Sequence, residues 1–476
     1  MQPSRFTVRV PLPERDEVFL LNTLTDAQAI VSPDVAALLD GRAADTDAAA
    51  SALQTLADHG FLVTSRDDDD RALAQHFSEV RHDRGELRVT ILTTEQCNFA
   101  CGYCVQGDHG DANASGRKMS LETADAVARW FAAQLDAVRP QRAVMTFFGG
   151  EPLLNLPVLY RLAERAHVAA RMRGVTFLIN VITNGLLLSP EVVGRLVPFG
   201  LNGVKVTLDG DREAHDRARP LRGGQGTFDR IVANVAAVAG LCRISIGGNV
   251  APDAIDGYQA LLAFLAQQPF APAISKVSFK PLIDTQGSAR SALSASGARA
   301  RVIPLAPVGG GAEGGTCMTA RGAGRASGCD SCGVDDLALD DLREQTKRAG
   351  FSTPDGVHMG PCEIHRAHAH TVGIEGELYK CPGFSGEATE VVGHISREAT
   401  VMERESARRF NRLAAYELCG DCAFVPVCAG GCAVASHHEL GDMHAPTCHR
   451  RAFESALVTL ARDTASSATE PREGAA

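Results

Sequence analysis

Three cysteines lie within a segment of eight residues, at Cys97, Cys101 and Cys104, in a C-x3-C-x2-C arrangement. The apolar run 87–93 shortly before them predicts a buried strand. Soft thiolate ligands suit iron–sulfur clusters, and a cubane cluster usually binds four of them. Three thiolates on one loop would leave one iron open to a different ligand. A zinc knuckle or a redox thiol pair is the alternative interpretation of the same residues.

A second set of cysteines lies near the carboxyl terminus. Its seven members are Cys362, Cys381, Cys419, Cys422, Cys428, Cys432 and Cys448. From 419 to 432 the spacing is C-x2-C-x5-C-x3-C. This spacing argues against an ordinary treble-clef zinc site, which needs two C-x2-C-like pairs. Three more cysteines, Cys317, Cys329 and Cys332, lie in a stretch rich in glycine and alanine between the two sets.

Length and charge restrict the class of protein. The chain has 476 residues, which suggests roughly two to four domains, and a formal net charge of −10. The acidic balance argues against a nucleic-acid partner. No apolar run approaches the roughly 18 residues of a membrane span, and residues 1–9 lack a signal core. We therefore expect a cytoplasmic protein, in which clustered cysteines favour metal ligation over disulfides.

The residues from 87 to 283 alternate between predicted strands and predicted helices. The strands are expected at 87–93, 143–148, 176–183, 203–208, 243–250 and 276–282. The helices are expected at 121–135, 157–172, 190–197, 227–239 and 255–267. Six strands joined by five helices indicate an α/β fold with parallel crossovers. Sites in such folds lie at the carboxyl ends of the strands, where the loop with Cys97 begins.

Short polar and glycine-containing motifs follow the later strands. Gly149-Gly150-Glu151-Pro152 follows the second strand, and Thr183-Asn184-Gly185 follows the third. Thr207 and Asp209 follow the fourth strand, and Asn249 closes the fifth. Glycines allow a backbone to approach a ligand closely, and Glu151 adds a carboxylate. Each motif alone is compatible with a simple turn.

Taken together, the cysteine loop and these motifs resemble the radical S-adenosylmethionine (SAM) superfamily. The resemblance implies a partial (β/α)6 TIM-like barrel and one 4Fe–4S cluster whose open iron binds SAM. It also implies SAM-binding roles for Tyr103, Gly149, Gly150, Glu151, Pro152, Thr183, Asn184, Thr207, Asp209 and Asn249. The cluster-bound SAM, rather than an assigned catalytic side chain, would generate the radical.

Further motifs narrow the resemblance to members that modify peptides and proteins. His215-Asp216 to Arg219 resembles their H-D-x-x-R, and residues 224–228 resemble their G-x-G-T-F. The seven carboxyl-terminal cysteines are similar to the SPASM extension, which implies two auxiliary 4Fe–4S clusters. By resemblance, one set of ligands is Cys419, Cys422, Cys428 and Cys448. The other set is Cys362, Cys381 and Cys432, with its fourth ligand left open between Cys317, Cys329, Cys332 and the substrate.

The flanking segments complete the expected organisation. Residues 1–75 contain predicted strands and then helices, and resemble a small winged-helix-like α+β peptide-recognition element. Such an element captures a leader peptide by strand addition, although a plain capping module is the alternative. The expected division is 1–75 recognition module, 76–86 linker, 87–283 barrel, 284–345 bridging region, 346–460 SPASM domain and 461–476 disordered tail.

The resemblance as a whole implies a maturase of ribosomally synthesised, post-translationally modified peptides. A 5′-deoxyadenosyl radical would abstract hydrogen from the precursor peptide and give a thioether, carbon–carbon or ether cross-link, or another modification. The expected partners are this peptide and a reductant such as flavodoxin or ferredoxin, without nucleic acid or membrane. A sulfatase-maturase-like protein oxidation is one alternative, disfavoured because Pro382 stands where those relatives carry an aspartate. A non-catalytic iron–sulfur protein for peptide binding or electron transfer is the other.

Overall fold

The computed structural model describes residues 1–41, 44–104, 116–251, 254–282, 336–358 and 360–467. The amino-terminal strands are β1 Gln2–Pro3, β2 Thr7–Leu12, β3 Glu17–Asn22, β4 Gln28–Val31 and β5 Leu62–Val63. The helices here are α1 Pro33–Ala36, α2 Asp47–Asp58 and α3 Arg66–His82. The sheet order is β2-β3-β4 with antiparallel pairing, and β1 pairs with β5. The order of strands followed by helices that was predicted for this segment is therefore present in outline.

The predicted linker at 76–86 is wrong over most of its length. Helix α3 continues to His82 and includes the acidic run 67–70. Ser65 and Asp68 form a capping box at its start, and acidic residues there favour the positive end of the helix dipole. Asp69 is buried and accepts hydrogen bonds from Ser4 Oγ (2.7 Å) and the Arg5 backbone N–H (2.8 Å).

The central sheet contains the six expected strands in sequence order. They are β6 Glu86–Leu92, β7 Arg142–Phe148, β8 Thr176–Thr183, β9 Leu201–Thr207, β10 Arg243–Val250 and β11 Ile274–Pro281. The helices between them are α4 Leu121–Val138, α5 Leu156–Arg171, α6 Pro190–Leu196, α7 Arg212–Ala218, α8 Phe228–Val238 and α9 Ile255–Ala266. All neighbouring pairs from β6 to β11 are parallel. The expected mostly parallel α/β architecture is confirmed.

Alternate residues of each strand face the helices and form the main core. Val204 and Val206 of β9 and Ile244 and Ile246 of β10 are buried in it. Because side chains alternate along a strand, the intervening residues face the other side of the sheet. We call that side of β9, β10 and β11 the open face, and define it by Lys205, Thr207, Ser245, Gly247, Asn249, Lys276, Ser278 and Lys280.

The sheet extends beyond the barrel boundary predicted at 87–283. Strand β12 His370–Val372 pairs in parallel with β6, and β13 Glu377–Tyr379 and β14 Gly393–His394 follow with antiparallel pairing. The carboxyl-terminal cysteine region therefore shares one sheet of nine strands with the barrel. The strands are only two or three residues long, too short for their alternation to be recognised in the sequence.

Two predicted irregular segments are partly helical. The remaining helices are α10 Asp336–Arg348, α11 Val401–Asn411, α12 Val425–Cys428, α13 Ala433–Leu440 and α14 Arg450–Ser467. Residues 461–467, expected in the tail, belong to α14, where Ala461 and Ala465 are buried against Phe19 and Phe424. Residues 336–345, expected in the bridge, belong to α10, while 284–335 lie outside the described residues. In the described part of the chain, no helix is long and apolar enough to cross a membrane.

Candidate active site

The cysteine loop leaves the carboxyl end of β6 and is fastened to the segment after α7. The Ala100 backbone N–H donates to the Pro220 carbonyl (2.9 Å), and the Arg222 N–H donates to the Asn98 carbonyl (3.1 Å). The Arg222 guanidinium also donates through Nε to the Cys97 carbonyl (2.9 Å). These bonds fix the path of the loop without using the thiols. The segment that follows α7 therefore anchors the cysteine loop. The sequence did not indicate this role.

The chemistry of this donor set fits an iron–sulfur cluster. The pKa of Cys97 is raised to about 12, mainly by burial, with contributions from Glu151 and from the neighbouring Cys101 and Cys104. Burial likewise raises the pKa of Cys101 to about 11. Three partly buried thiols within electrostatic range need a cationic partner to become thiolates, and an iron cluster supplies one. Over the described residues, no three His, Cys, Asp or Glu side chains converge on one point as the ligands of a single metal ion do.

Gly149 and Gly150 bring the loop after β7 against the backbone of the cysteine loop. Gly149 has φ +130, and a Cβ on it would lie 2.4 Å from the Thr94 carbonyl oxygen. A Cβ on Gly150 would lie 2.3 Å from the carbonyl oxygens of both Glu95 and Gln96. The Gly150 N–H donates to Thr94 O at 2.9 Å. In this structure the two glycines allow close contact between two loops, whereas the sequence suggested that they allow close approach of a ligand.

Glu151 is enclosed, and its carboxylate joins two predicted SAM-binding motifs. It accepts hydrogen bonds from Thr183 Oγ1 (2.7 Å), the Asn184 N–H (2.8 Å) and the Leu153 N–H (3.0 Å). Burial raises the pKa of Glu151, and the three donors act in the opposite direction by favouring the carboxylate. Asn184 continues the chain of contacts, because its Nδ2 donates to Asn98 Oδ1 at 2.7 Å in the cysteine loop.

We expect Glu151→Gln to destabilise the protein by about 1–3 kcal/mol. The side-chain NH2 group of the glutamine would face an N–H or O–H donor at a position where a carboxylate oxygen now accepts a hydrogen bond. At least one of the buried donors would then lose its acceptor. Thermal unfolding of the variant measures the loss. Glu164→Gln on the exposed face of α5 is the matched control and should leave the midpoint unchanged. An unchanged midpoint for both variants would contradict the role assigned to Glu151.

Asp209 and Tyr103 belong to a buried polar network at the ends of β9 and β10. Arg219 Nη1 lies 3.4 Å from Asp209 Oδ2 and also donates to the Tyr103 hydroxyl, which in turn donates to Asp209. The other oxygen, Asp209 Oδ1, accepts from the Asn249 N–H (2.7 Å) and the Tyr258 hydroxyl (3.2 Å). Three of the predicted SAM-binding residues are therefore brought together. Arg219 and Tyr258, which support them, were not predicted as site residues.

His215 supports this network from the side of the helices. Its Nδ1 accepts the Asp209 backbone N–H (3.1 Å), which leaves Nε2 to donate to Thr227 Oγ1 (3.1 Å). Burial, with the charge of Arg219, lowers the pKa of His215 to about 4, so the ring is neutral near pH 7. Asp216 Oδ1 accepts the N–H groups of Thr227 (2.6 Å) and Phe228 (2.9 Å) at the start of α8. The two motifs that resemble peptide-modifying enzymes thus fold onto each other.

This site geometry agrees with a family model. The model of the radical SAM superfamily matches residues 91–251, which run from β6 to the end of β10 and include the cysteine loop. Residues 91–251 are a radical SAM superfamily domain. The residue assignments for SAM binding remain predictions.

Curated relatives match about a third of the chain. A GTP 3′,8-cyclase from Xanthomonas campestris pv. campestris is 34% identical over 171 residues, covering 34% of this chain and 44% of the relative. An Fe-coproporphyrin III synthase from Methanosarcina barkeri is 30% identical over 163 residues, covering 34% of this chain and 36% of the relative. The chain therefore spans less than half the length of these relatives.

Two solved structures match a larger part of the fold. The structure of native anSMEcpe with bound AdoMet (SAM) covers 81% of this chain and 100% of its own, with a TM-score of 0.56 at 14% identity. Native anSMEcpe with bound AdoMet and the Cp18Cys peptide covers 79% and 99%, with a TM-score of 0.54 at 14% identity. At this identity the likeness establishes the fold alone.

The carboxyl-terminal thiols form two neighbourhoods. The pKa of Cys381 is raised to about 12, mainly by burial, with contributions from Cys362 and Cys432. These three cysteines come from segments far apart in the sequence. Cys381 lies before a short 3-10 turn, and its loop packs against α13, since a Cβ on Gly383 would lie 2.7 Å from Val434 Cγ2. Cys362 and Cys432 therefore lie within electrostatic range of Cys381, and the role of these three residues as cluster ligands stays a prediction.

The second neighbourhood contains Cys422, Cys428 and Cys448. Burial raises the pKa of Cys428 to about 12, and Cys422 and Cys448 contribute to the rise. Cys419 packs with Cys422 against the small cluster of Phe77, Val425 and Ala429. The segment that carries Cys448 is held by the Thr447 hydroxyl, which accepts the Cys432 N–H at 3.0 Å. Cys317, Cys329 and Cys332 lie outside the described residues.

Proposed function

We propose that this radical SAM enzyme modifies a peptide, specifically a ribosomally made precursor. The observation that carries the proposal is the grouping of the carboxyl-terminal thiols beside the barrel, in a fold that also occurs in anSMEcpe with a bound peptide. The resemblance of residues 215–219 and 224–228 to peptide-modifying enzymes supports it.

Cys97, Cys101 and Cys104 are proposed to hold a 4Fe–4S cluster. When bound, this cluster and SAM supply a 5′-deoxyadenosyl radical that removes a hydrogen atom from the substrate. The chain orients the reactants around it. The backbone of Gly149 to Pro152, with Thr183 and Asn184, lies beside the cysteine loop to hold the methionine part of SAM. Tyr103, Thr207, Asp209 and Asn249 are proposed for its nucleoside.

Two auxiliary 4Fe–4S clusters are proposed for the carboxyl-terminal thiols. Cys419, Cys422, Cys428 and Cys448 would hold one, and Cys362, Cys381 and Cys432 would hold the other. The fourth ligand of the latter is proposed to be Cys329 or Cys332, with Cys317 or the substrate as the alternatives. Unchanged iron content and cluster spectra in both Cys329→Ala and Cys332→Ala variants would remove these two residues as ligands.

The amino-terminal sheet is proposed to bind the leader of the precursor. Strand β4 is at the edge of its sheet, so its outer hydrogen-bonding groups are available for strand addition. A reductant such as flavodoxin or ferredoxin is proposed to deliver the electron, and the cytoplasm is proposed as the compartment.

A nucleotide is the second candidate substrate. It is favoured by the 34% identity to GTP 3′,8-cyclase, although that match covers only 34% of this chain. A sulfatase-maturase-like oxidation of a protein remains a further alternative at the level of the peptide substrate. The nucleotide alternative requires binding of GTP, and the sulfatase-maturase alternative requires a protein substrate in place of a precursor peptide.

Anaerobic reconstitution followed by a reaction assay tests the proposal. We expect about 11 to 12 irons per chain, the content of three 4Fe–4S clusters. Incubation with SAM, a reductant and the precursor peptide encoded beside the gene should yield 5′-deoxyadenosine and a modified peptide. A loss of two mass units indicates a cross-link or dehydrogenation, and deuterium uptake without other mass change indicates epimerisation. One or two zinc ions per chain, or modification of GTP alone, would overturn the proposal.

A further inference from the structure

Three lysines lie together on the open face of the sheet. Lys205 of β9 and Lys276 of β11 are both in register with Ser245 of β10, and Lys280 is in register with Asn249. Residues paired in register point to the same side of a sheet. The three ammonium groups are close enough for Lys276 and Lys280 to act electrostatically on Lys205.

The lysines are placed there selectively. The chain contains only six lysines among its 47 lysine and arginine residues, so arginine is its usual cation. Half of these lysines lie on one face of two strands. An ammonium group is a compact point charge, unlike the planar guanidinium that favours ion pairs with fixed geometry and stacking. The cations on this face are therefore lysines, whereas most cations in the rest of the chain are arginines.

Lys205 extends across the open face toward the carboxyl ends of the strands. Gly247 makes room for it, because a Cβ there would lie 2.4 Å from Lys205 Cε and 3.1 Å from Nζ. Gly247 is in register with Ser278, which lies between Lys276 and Lys280 along β11. The Lys205 side chain is half-buried, and burial together with the two other lysines lowers its pKa to about 8.

The strands that carry these charges contain no acidic residue. Their sequences are LNGVKVT, RISIGGNV and ISKVSFKP. Asp209, two residues beyond β9, is paired with Arg219 and accepts three further hydrogen bonds. Lys205 is half-buried and Lys276 and Lys280 are exposed, so the repulsion falls mainly on Lys205, and an anion held between the three ammonium groups would offset it. A cationic face in a protein of net charge −10 is thus suited to an anionic ligand.

The position of this face connects the two cysteine regions. Asn249, in register with Lys280, donates through Nδ2 to the Tyr103 hydroxyl (3.4 Å) beside the first cysteine loop. On the other side, Lys280 acts electrostatically on Cys381. A group held by the lysines would therefore lie between the proposed radical-generating loop and the nearer auxiliary thiols.

We propose that Lys205, Lys276 and Lys280 form a subsite for a carboxylate of the substrate, supplied by an aspartate, a glutamate or the carboxyl terminus of a peptide. The inference rests on the proposed peptide substrate, whose anionic groups are carboxylates. The subsite selects a substrate with an acidic group close to the residue that is modified, and holds that group on the open face.

Competitive acylation of lysines in the reconstituted full-length enzyme tests the subsite. The protein is treated briefly with acetic anhydride, alone or with N-acetyl-glutamate amide, and modified lysines are quantified by mass spectrometry. At a ligand concentration ten times the dissociation constant, labelling of Lys205 and Lys280 should fall roughly tenfold. Lys118 and Lys347, which lie elsewhere, should be unaffected, and uncharged N-acetyl-glutamine amide should protect none of the four.

Variants and other anions distinguish the sources of the effect. Lys205→Met should abolish most of the protection at Lys280, Lys205→Arg should retain it, and Lys347→Met should change nothing. Equal protection by the glutamate and glutamine compounds, or none by either, would overturn the subsite. If SAM alone protects the lysines and the glutamate compound adds no further protection, the lysines bind the SAM carboxylate instead. Protection by GTP alone would assign them to phosphate.

This experiment separates the subsite from the proposed reaction. Protection of Lys205 without any modification of the precursor peptide would leave the carboxylate subsite standing and reject the peptide maturase. Modification of the precursor peptide without protection of Lys205 would support the peptide maturase and reject the carboxylate subsite.

Discussion

Substitution of Cys97, Cys101 or Cys104 by alanine is expected to abolish SAM cleavage and to leave the proposed auxiliary clusters in place. A cubane cluster that loses one of only three protein thiolates no longer has a stable position on the loop. The carboxyl-terminal thiols come from other segments and form separate neighbourhoods, so they do not depend on this loop for their ligands. Iron content should fall from about 12 to about 8 per chain, the loss of one four-iron cluster.

The measurements are 5′-deoxyadenosine formation, iron content and the electron paramagnetic resonance spectrum of the reduced protein. Cys242→Ala is the matched control, because Cys242 precedes β10 and belongs to neither carboxyl-terminal thiol group. It should retain full iron content and SAM cleavage. Loss of all three clusters in the loop variants would show instead that the loop is needed for folding. Persistent SAM cleavage would refute the assignment of the first cluster.

The sequence allowed most of the central sheet to be predicted, because buried parallel strands carry a strong local signal. The runs 176–183 and 243–250 match β8 and β10 residue for residue. The short strands β12 to β14 could not be predicted, because their place depends on pairing with β6, more than 270 residues earlier in the chain. Helix α3 was missed for a different reason. Its acidic first turn looks like a solvated linker until capping by Ser65 and contact with Ser4 are known.

In the candidate site too, features that depend on neighbouring residues were predicted, and contacts between residues far apart in the sequence were not. The cysteine spacing identified the loop, but its partners Pro220 and Arg222 lie more than 110 residues away and carry no signal of their own. Arg219 was recognised only as part of a motif. Its ion pair with Asp209 depends on α7 folding back over the end of β9. Lys205 was not predicted, because its significance arises from strand register rather than from neighbouring residues.

Gly150→Ala is expected to displace the cysteine loop and to prevent cluster assembly there. The added Cβ would lie 2.3 Å from two backbone carbonyl oxygens, those of Glu95 and Gln96, which cannot move aside as a side-chain end can. The strain should reduce stability by about 1–3 kcal/mol, and it acts directly on the two residues before Cys97. We expect a lowered unfolding midpoint, loss of about four irons and loss of SAM cleavage.

Gly102→Ala in the same loop is the matched control, since a Cβ there has no heavy atom within 4 Å. It should change stability by less than about 0.5 kcal/mol and retain the first cluster. The pair of variants separates a requirement for close approach of two backbones from a general intolerance of the loop to substitution. Full iron content and SAM cleavage in Gly150→Ala would show that the loop after β7 does not determine the position of the cysteine loop. Equal damage in both variants would make the loop itself, rather than its contact with Gly150, the sensitive element.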